Sequence, residues 1–320
     1  MQDRKKFITR RQALLAGAAG SLAAFSAGAI SLPALHAHAA ADPQAESSLP
    51  VKEIEDIFQT KGTLEPGGVL LIELARSDIH ATIFGISIKP DLAIDTEITF
   101  QPLDNRAIVK YEFVLLDGEV NSVLDELLKQ DLQPATTAIN ALHNHFLEMD
   151  PHIKYLHGTA IGDPLDLAHA LHKALSQSGQ PFAASVATQT GLPNKQIEQI
   201  IGGTGMISDS VLSVSVNRKE TIRELGFVLQ PAMQVQSTFN FQAIDNNQAA
   251  EAAEFILLPQ EVDAVSRSLR NHNLKVTAVH NHELFIQPTF YYLHAFGTGS
   301  PLSLAQATHA ALQHTNSALK

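Results

Sequence analysis

Residues 143–157 read HNHFLEMDPHIKYLH, and residues 280–294 read HNHELFIQPTFYYLH. His143, His145 and His157 return as His280, His282 and His294 at unchanged spacing. The match runs on without a gap through GDPLDLAHALHKAL to Leu175 and through GSPLSLAQATHAAL to Leu312, and more than half of the paired positions are identical. Upstream, FQPLDN (100–105) returns as FQAIDN (241–246), Glu112-Phe113 as Glu254-Phe255, and IEDI (54–57) as IEQI (197–200). A unit of domain size is therefore written twice, too long to be a solenoid repeat. Residues 51–175 form the first unit and 196–320 the second. Between them lies SQSGQPFAASVATQTGLPNK (176–195), a linker of Gly, Pro, Ser and Thr without strong periodicity.

Within one unit the hydrophobic periods define elements. Val51–Lys61 reads as a short amphipathic helix. VLLIELA, ATIFGISI, TEITFQPL and IVKYEFVLL read as strands, being rich in β-branched residues and bounded by Gly, Pro and Asp. Glu119–Gln130 carries Val120, Val123, Leu124, Leu127 and Leu128 at helical spacing. Ala135–Leu147 and Ile153–Ile161 read as two strands about Asp150-Pro151. A helix starting at Asp163 or Pro164 follows, with Leu165, Ala168, Leu171, His172 and Leu175 on one stripe. The fold class is α+β: two tandem βαββα-type units with extra N-terminal strands. Each unit has a helix stripe and a sheet face to bury, so the copies are expected to pack about a pseudo-twofold axis with their sheets joined or facing. Spacing leaves open whether the two histidine triads share one pocket.

The first 39 residues carry Arg4, Lys5, Lys6, Arg10 and Arg11, then an Ala/Gly/Leu run, then Ala37-His38-Ala39. That order predicts a signal peptide over 1–39, with Arg10-Arg11 resembling a twin-arginine export signal. Residues 40–50 would begin the mature chain, located in the periplasm or secreted. The run is too rich in Ala and Gly for a good membrane anchor, so no stable anchor is expected after cleavage. The formal net charge is −11, and loss of the basic leader makes the mature chain more acidic. Such a protein repels phosphate backbones, which argues against nucleic acid as a partner. The letters HNH do not indicate a nuclease, whose motif residues are dispersed over a ββα unit. The chain has no Cys, so any metal site must use His, Asp, Glu or main-chain groups.

Residues two apart on a strand face the same way, so His143 and His145 share a face. A hairpin centred on Pro151 would set His145 opposite His157, and likewise His282 opposite His294. Three imidazoles then converge from two adjacent strands, as in a three-histidine metal site. The triads persist while their neighbours diverge: Phe146 stands against Glu283, Glu148 against Phe285, Lys154 against Tyr291. Packing alone gives no reason for that pattern. His143, His145, His157, His280, His282 and His294 are the expected ligands, with His172 and His309 in a second tier as ligands, ring partners or core histidines. Neutral imidazoles without thiolates favour a divalent transition metal, zinc or copper among them, over calcium or magnesium.

The stretches EVNSVL (119–124), ALHNHFL (141–147), Pro151, YLHG (155–158) and GDPLDLAHALHKAL (162–175) are similar to the LppY/LpqO family, an exported bacterial domain family. The echo in residues 260–312 covers the second copy. The resemblance implies export and supplies no reaction. Three functional readings stand at this point. The first is a metal-binding exported protein with one histidine-based site in each copy. The second is a metal-free envelope module that binds a small-molecule ligand or another partner. The third is a metal-dependent hydrolase with Glu148 or Glu112 as general base.

Overall fold

A computed structural model describes residues 47–129, 137–182 and 189–320. The expected signal peptide and its twin arginines lie outside the described residues. The two copies build matching antiparallel six-stranded sheets. In the first copy the order is Thr63–Glu65, Val69–Ala75, Asp95–Leu103, Arg106–Leu116, Ile153–Gly162, Thr137–His143. In the second it is Thr204–Ser208, Val211–Asn217, Gln236–Ala243, Ala249–Leu257, Tyr291–Gly299, Lys275–His280.

Arg106–Leu116 shows why these layers form. Ala107, Val109, Tyr111, Phe113 and Leu115 alternate onto one face, and Ile108, Lys110, Glu112 and Val114 onto the other. The first set packs under the helices Val51–Phe58, Val120–Lys129 and Pro164–Leu175. The second copy repeats this with Asn194–Ile201, Val262–Asn271 and Pro301–Leu312. Helices begin where the caps sit: the Asp163 side chain accepts from the Leu165 and Asp166 N–H groups, and Ser300 accepts from Ser303. Tyr111 fits only because Gly158 has no Cβ, which would come within 2.2 Å of its ring.

The other faces of the two sheets look at each other. One inner cluster joins Val114 and Tyr155 of the first sheet to Val211, Ala250, Ala252 and Phe296 of the second. Another joins Val69, Ile108 and Ile161 to Ile256 and Tyr292. The described residues are therefore layered helices, sheet, sheet, helices, and form one unit.

Each copy also lends an arm to the other. ATIFGISI is not one strand but a hairpin of Thr82–Ile83 and Ile86–Ser87, turning at Phe84-Gly85 with φ of 49° and 78°. Positive φ at both turn residues matches the twist of a tight hairpin, and Gly supplies it without strain. This arm packs against the second copy's sheet, while its counterpart, Arg223–Glu224 and Phe227–Val228, packs against the first. The Gln of the repeated FQ motif clamps each arm. Gln101 Nε2 donates to the Val228 carbonyl (2.8 Å) and its Oε1 accepts from Gln230 N–H (2.8 Å). Gln242 does the same with Ser87 (2.9 Å) and Lys89 (2.8 Å). The two copies thus pack about an approximate twofold axis, as their duplication led us to expect.

A buried amide that satisfies two main-chain groups leaves both orphaned when removed. Gln101→Leu and Gln242→Leu are each expected to lower stability by about 2 kcal/mol in urea denaturation, with unchanged helix content.

Candidate functional site

The edge strands Thr137–His143 and Lys275–His280 end at the first histidine of each motif. Pairing differs from the sequence expectation. Ala141, not His145, lies opposite His157, and His143 lies opposite Tyr155. In the second copy Ala278 faces His294 and His280 faces Tyr292. The cause is the connection: Met149–Asp150 leaves the hairpin to pair with Thr82–Ile83 of the arm, so the turn is not centred on Pro151. Ile286–Gln287 does likewise with Arg223–Glu224.

His145 and His282 lie past the strand ends. Each is held flat on a tyrosine two residues before the third histidine: His145 on Tyr155 at 3.5 Å between ring centres, and His282 on Tyr292 at 3.6 Å. Hydroxyl bonds fix those tyrosines, Tyr155 to the Ala93 carbonyl (2.7 Å) and Tyr292 to the Gln234 carbonyl (3.0 Å). Thr277 of the second copy donates to the His145 carbonyl (2.7 Å).

The six triad histidines meet in one cluster between the sheets. Rings pair across the copies: His143 with His280 at 3.7 Å, His145 with His294 at 3.8 Å, His157 with His282 at 3.8 Å. His145, His157, His282 and His294 are buried. Both ring nitrogens of His143 and His280, and Nε2 of the other four, are buried without a hydrogen-bond partner among the described residues. Glu112 stands 3.5 Å from His157 Nδ1, and Glu254 stands 3.6 Å from His294 Nε2. Three ligand sets could hold a metal ion here: His143/His145/His280/His282, Glu112/His145/His157/His282, and His145/Glu254/His294. All three contain His145 and two contain His282, so they describe one centre drawn from both copies in place of the expected one per copy, because both edge strands end at the same seam.

Burial keeps these imidazoles neutral, with lone pairs available. It pushes His143 down to about 4 and His280 down to about 3, and takes the other four well below the usual histidine range. Burial raises Glu112 well above the carboxylate range, with repulsion from Glu254 adding to it, and lifts Glu254 to about 8.

His172 and His309 do not join the cluster. They sit in the helical layers on the far face of each sheet, His172 between Phe58 and Phe182 and His309 against the Ile201 carbonyl and Gln313. Glu148 is also apart: its side chain is exposed, and its carbonyl accepts from Phe84 in the arm. Residues outside the sequence expectation complete the site. Lys110 pairs with Glu283 and lies 4.0 Å from Glu224; Thr159 donates to Glu224 (2.8 Å), and the Tyr292 hydroxyl, 2.9 Å from Glu283, shares its one proton between that carboxylate and the Gln234 carbonyl. A cavity of about 430 Å³ opens from His145, His282 and His294 along Glu112, Glu97, Asp95 and Glu73.

A family model described as Domain of Unknown Function (DUF1259) matches residues 52–177 and again 195–314. No curated protein and no solved structure matches.

Lys110, Glu224 and Glu283 are all buried, so removing the cation strands two carboxylates. Lys110→Met is expected to cost about 3–5 kcal/mol in urea denaturation. Adding Glu224→Gln and Glu283→Gln should restore most of it. Little loss from Lys110→Met alone would show that the network is not a folding constraint.

Proposed function

The chain belongs to the family described as Domain of Unknown Function (DUF1259), and we propose that it holds a divalent transition metal at the single histidine centre its two copies share. One observation carries this reading: six imidazoles converge in the sandwich with eight buried ring nitrogens that no described residue satisfies. Leaving a buried polar atom unpaired costs about 1–3 kcal/mol, so the cluster is costly unless something takes up the one lone pair that each neutral imidazole carries. A cation accepts several of them at once. The donor set of neutral imidazoles and carboxylates, without thiolate, suits zinc or copper better than calcium or magnesium. His145 and His282 are the common ligands of the candidate sets, with Glu112 and Glu254 on the flanks. Tyr155 and Tyr292 orient the two common rings, as supporting groups around metal ligands do.

A bound ion of this kind supplies Lewis acidity and lowers the pKa of water. Hydrolysis is therefore a second reading, with Glu112 as the base, since its carboxylate lies beside His157 and lines the cavity. The metal-free module is the competing reading, in which water in the cavity satisfies the rings. We also propose the finer kinship with the LppY/LpqO family and export by the twin-arginine route.

Elemental analysis of the mature protein, prepared with zinc or copper, separates these readings. About one ion per chain is expected, and His145→Ala or His282→Ala alone should empty the centre. Metal at 100 times its Kd should stabilise the fold by about 2.7 kcal/mol. Below about 0.2 ions per chain, with no metal-dependent stabilisation, the metal-free reading wins. Replacing Arg10 and Arg11 by lysine should leave precursor in the cytoplasm, and normal secretion of that variant would contradict the export reading.

A further inference from the structure

Four strands of the first sheet align one lateral row: Glu73 opposite Glu97, Glu97 opposite Glu112, Glu112 opposite His157. The second sheet builds the same row as Ser215, Thr238, Glu254 and His294. All of these but His157 line the cavity beside the histidine centre, the first wall acidic and the second hydroxylic as far as Glu254.

We infer that this cavity takes a small organic cation, a primary amine or guanidinium compound, whose charged end lies among Glu73, Asp95 and Glu97. The inference deepens the metal reading and rests on it for what the histidine end of the cavity does.

Three observations carry it. First, the oxygens of Glu73, Asp95 and Glu97 lie within 4.8 Å of one another, and no Lys or Arg among the described residues pairs with them. The fold does not require these charges, because the second copy makes the same strands with Ser215 and Thr238. Burial penalises them, with repulsion from Glu97 adding to it at Glu73 and Asp95: Glu73 is pushed up to about 8, Glu97 to about 7, and Asp95 well above the carboxylate range. Carboxylates crowded without a structural need mark a functional wall.

Second, the inner end of the cavity presents unpartnered polar atoms of its own. His145, His282 and His294 are only 4%, 4% and 2% exposed, and their Nε2 atoms have no hydrogen-bond partner among the described residues, Glu254 standing 3.6 Å from that of His294. Asn240 spends its amide N–H on the Leu92 carbonyl (3.0 Å), which leaves its buried Oδ1 as a free acceptor. Beyond those rings, which the metal would occupy, the lining still offers the three carboxylates and Asn240 Oδ1 as acceptors, which suits a ligand rich in N–H donors.

Third, about 430 Å³ is the size of a small-molecule site and far exceeds a lone ion. The hydroxyl and amide groups of the opposite wall give such a molecule further polar contacts.

Calorimetric titration of the mature, metal-replete protein tests this. The probe is cadaverine, with pentanediol and glutarate as neutral and anionic isosteres. Cadaverine is expected to bind at least about tenfold tighter than either. The variant Glu73→Ser with Glu97→Thr copies the second unit's residues and should fold normally. It should weaken cadaverine about tenfold and leave metal content unchanged. Equal binding of all three probes, or no binding, would overturn the proposal. So would loss of a divalent ion from the variant, because the carboxylates would then be an ion site. Cadaverine preference in a protein that retains no metal would sink the metal reading and leave this one standing. Full metal without amine preference would do the reverse.

Discussion

Neither copy covers the inner face of its own sheet. The helices occupy the outer face, so Ile108, Val114 and Ile161 on one side, and Ala250, Ile256 and Tyr292 on the other, stay wet unless the copies meet. Burying apolar area gains about 25 cal/mol per Å², and only the partner copy offers a matching surface. The exchanged arms and their Gln101 and Gln242 clamps follow from that need. So does the histidine centre, because each edge strand delivers its HNH motif to the seam. Covalent linkage makes the partner permanently present, as a homodimer could do only by mass action.

Duplication also freed the halves to diverge. Where the first copy's Lys110 sits in the seam, the second has Ala252; where the second has Glu224 and Glu283, the first has Ile83 and Phe146. One side of the centre is therefore an apolar cluster of Ile83, Phe146, Ala252 and Phe296, and the other a buried ion network. The acidic row Glu73–Glu97 against Ser215–Thr238 is a second divergence. A homodimer has two identical sides. This chain has two different ones around one centre.

Much of this was legible in the sequence. The spared histidines announced a site, and the β-branched and aromatic run IVKYEFVLL announced a strand. Register was not legible, because Met149–Asp150 pairs with an arm far away in sequence, and no local signal reports that. His172 sits on the inner stripe of its helix, and periodicity could not say which face of the sheet that helix covers. Tyr155 and Tyr292 were visible as repeats two residues before a histidine, hence on its face, and that spacing could have assigned them. Arg76 with Asp78 and Glu119 recurs as Arg218 with Glu220 and Glu261, each arginine buried and doubly paired. That repeat spans residues with little local identity and shows only in three dimensions. Lys110 and Glu283 pair across the copies, a contact that the internal repeat cannot predict because it is not repeated.

The central claim is one centre made by both copies. Anomalous diffraction at the zinc edge, on crystals of the zinc-loaded protein, tests it most directly. The account predicts anomalous density in the seam within bonding reach of both His145 and His282. Density confined to one copy's triad, or two separate sites with His143/His145/His157 around one and His280/His282/His294 around the other, would contradict it.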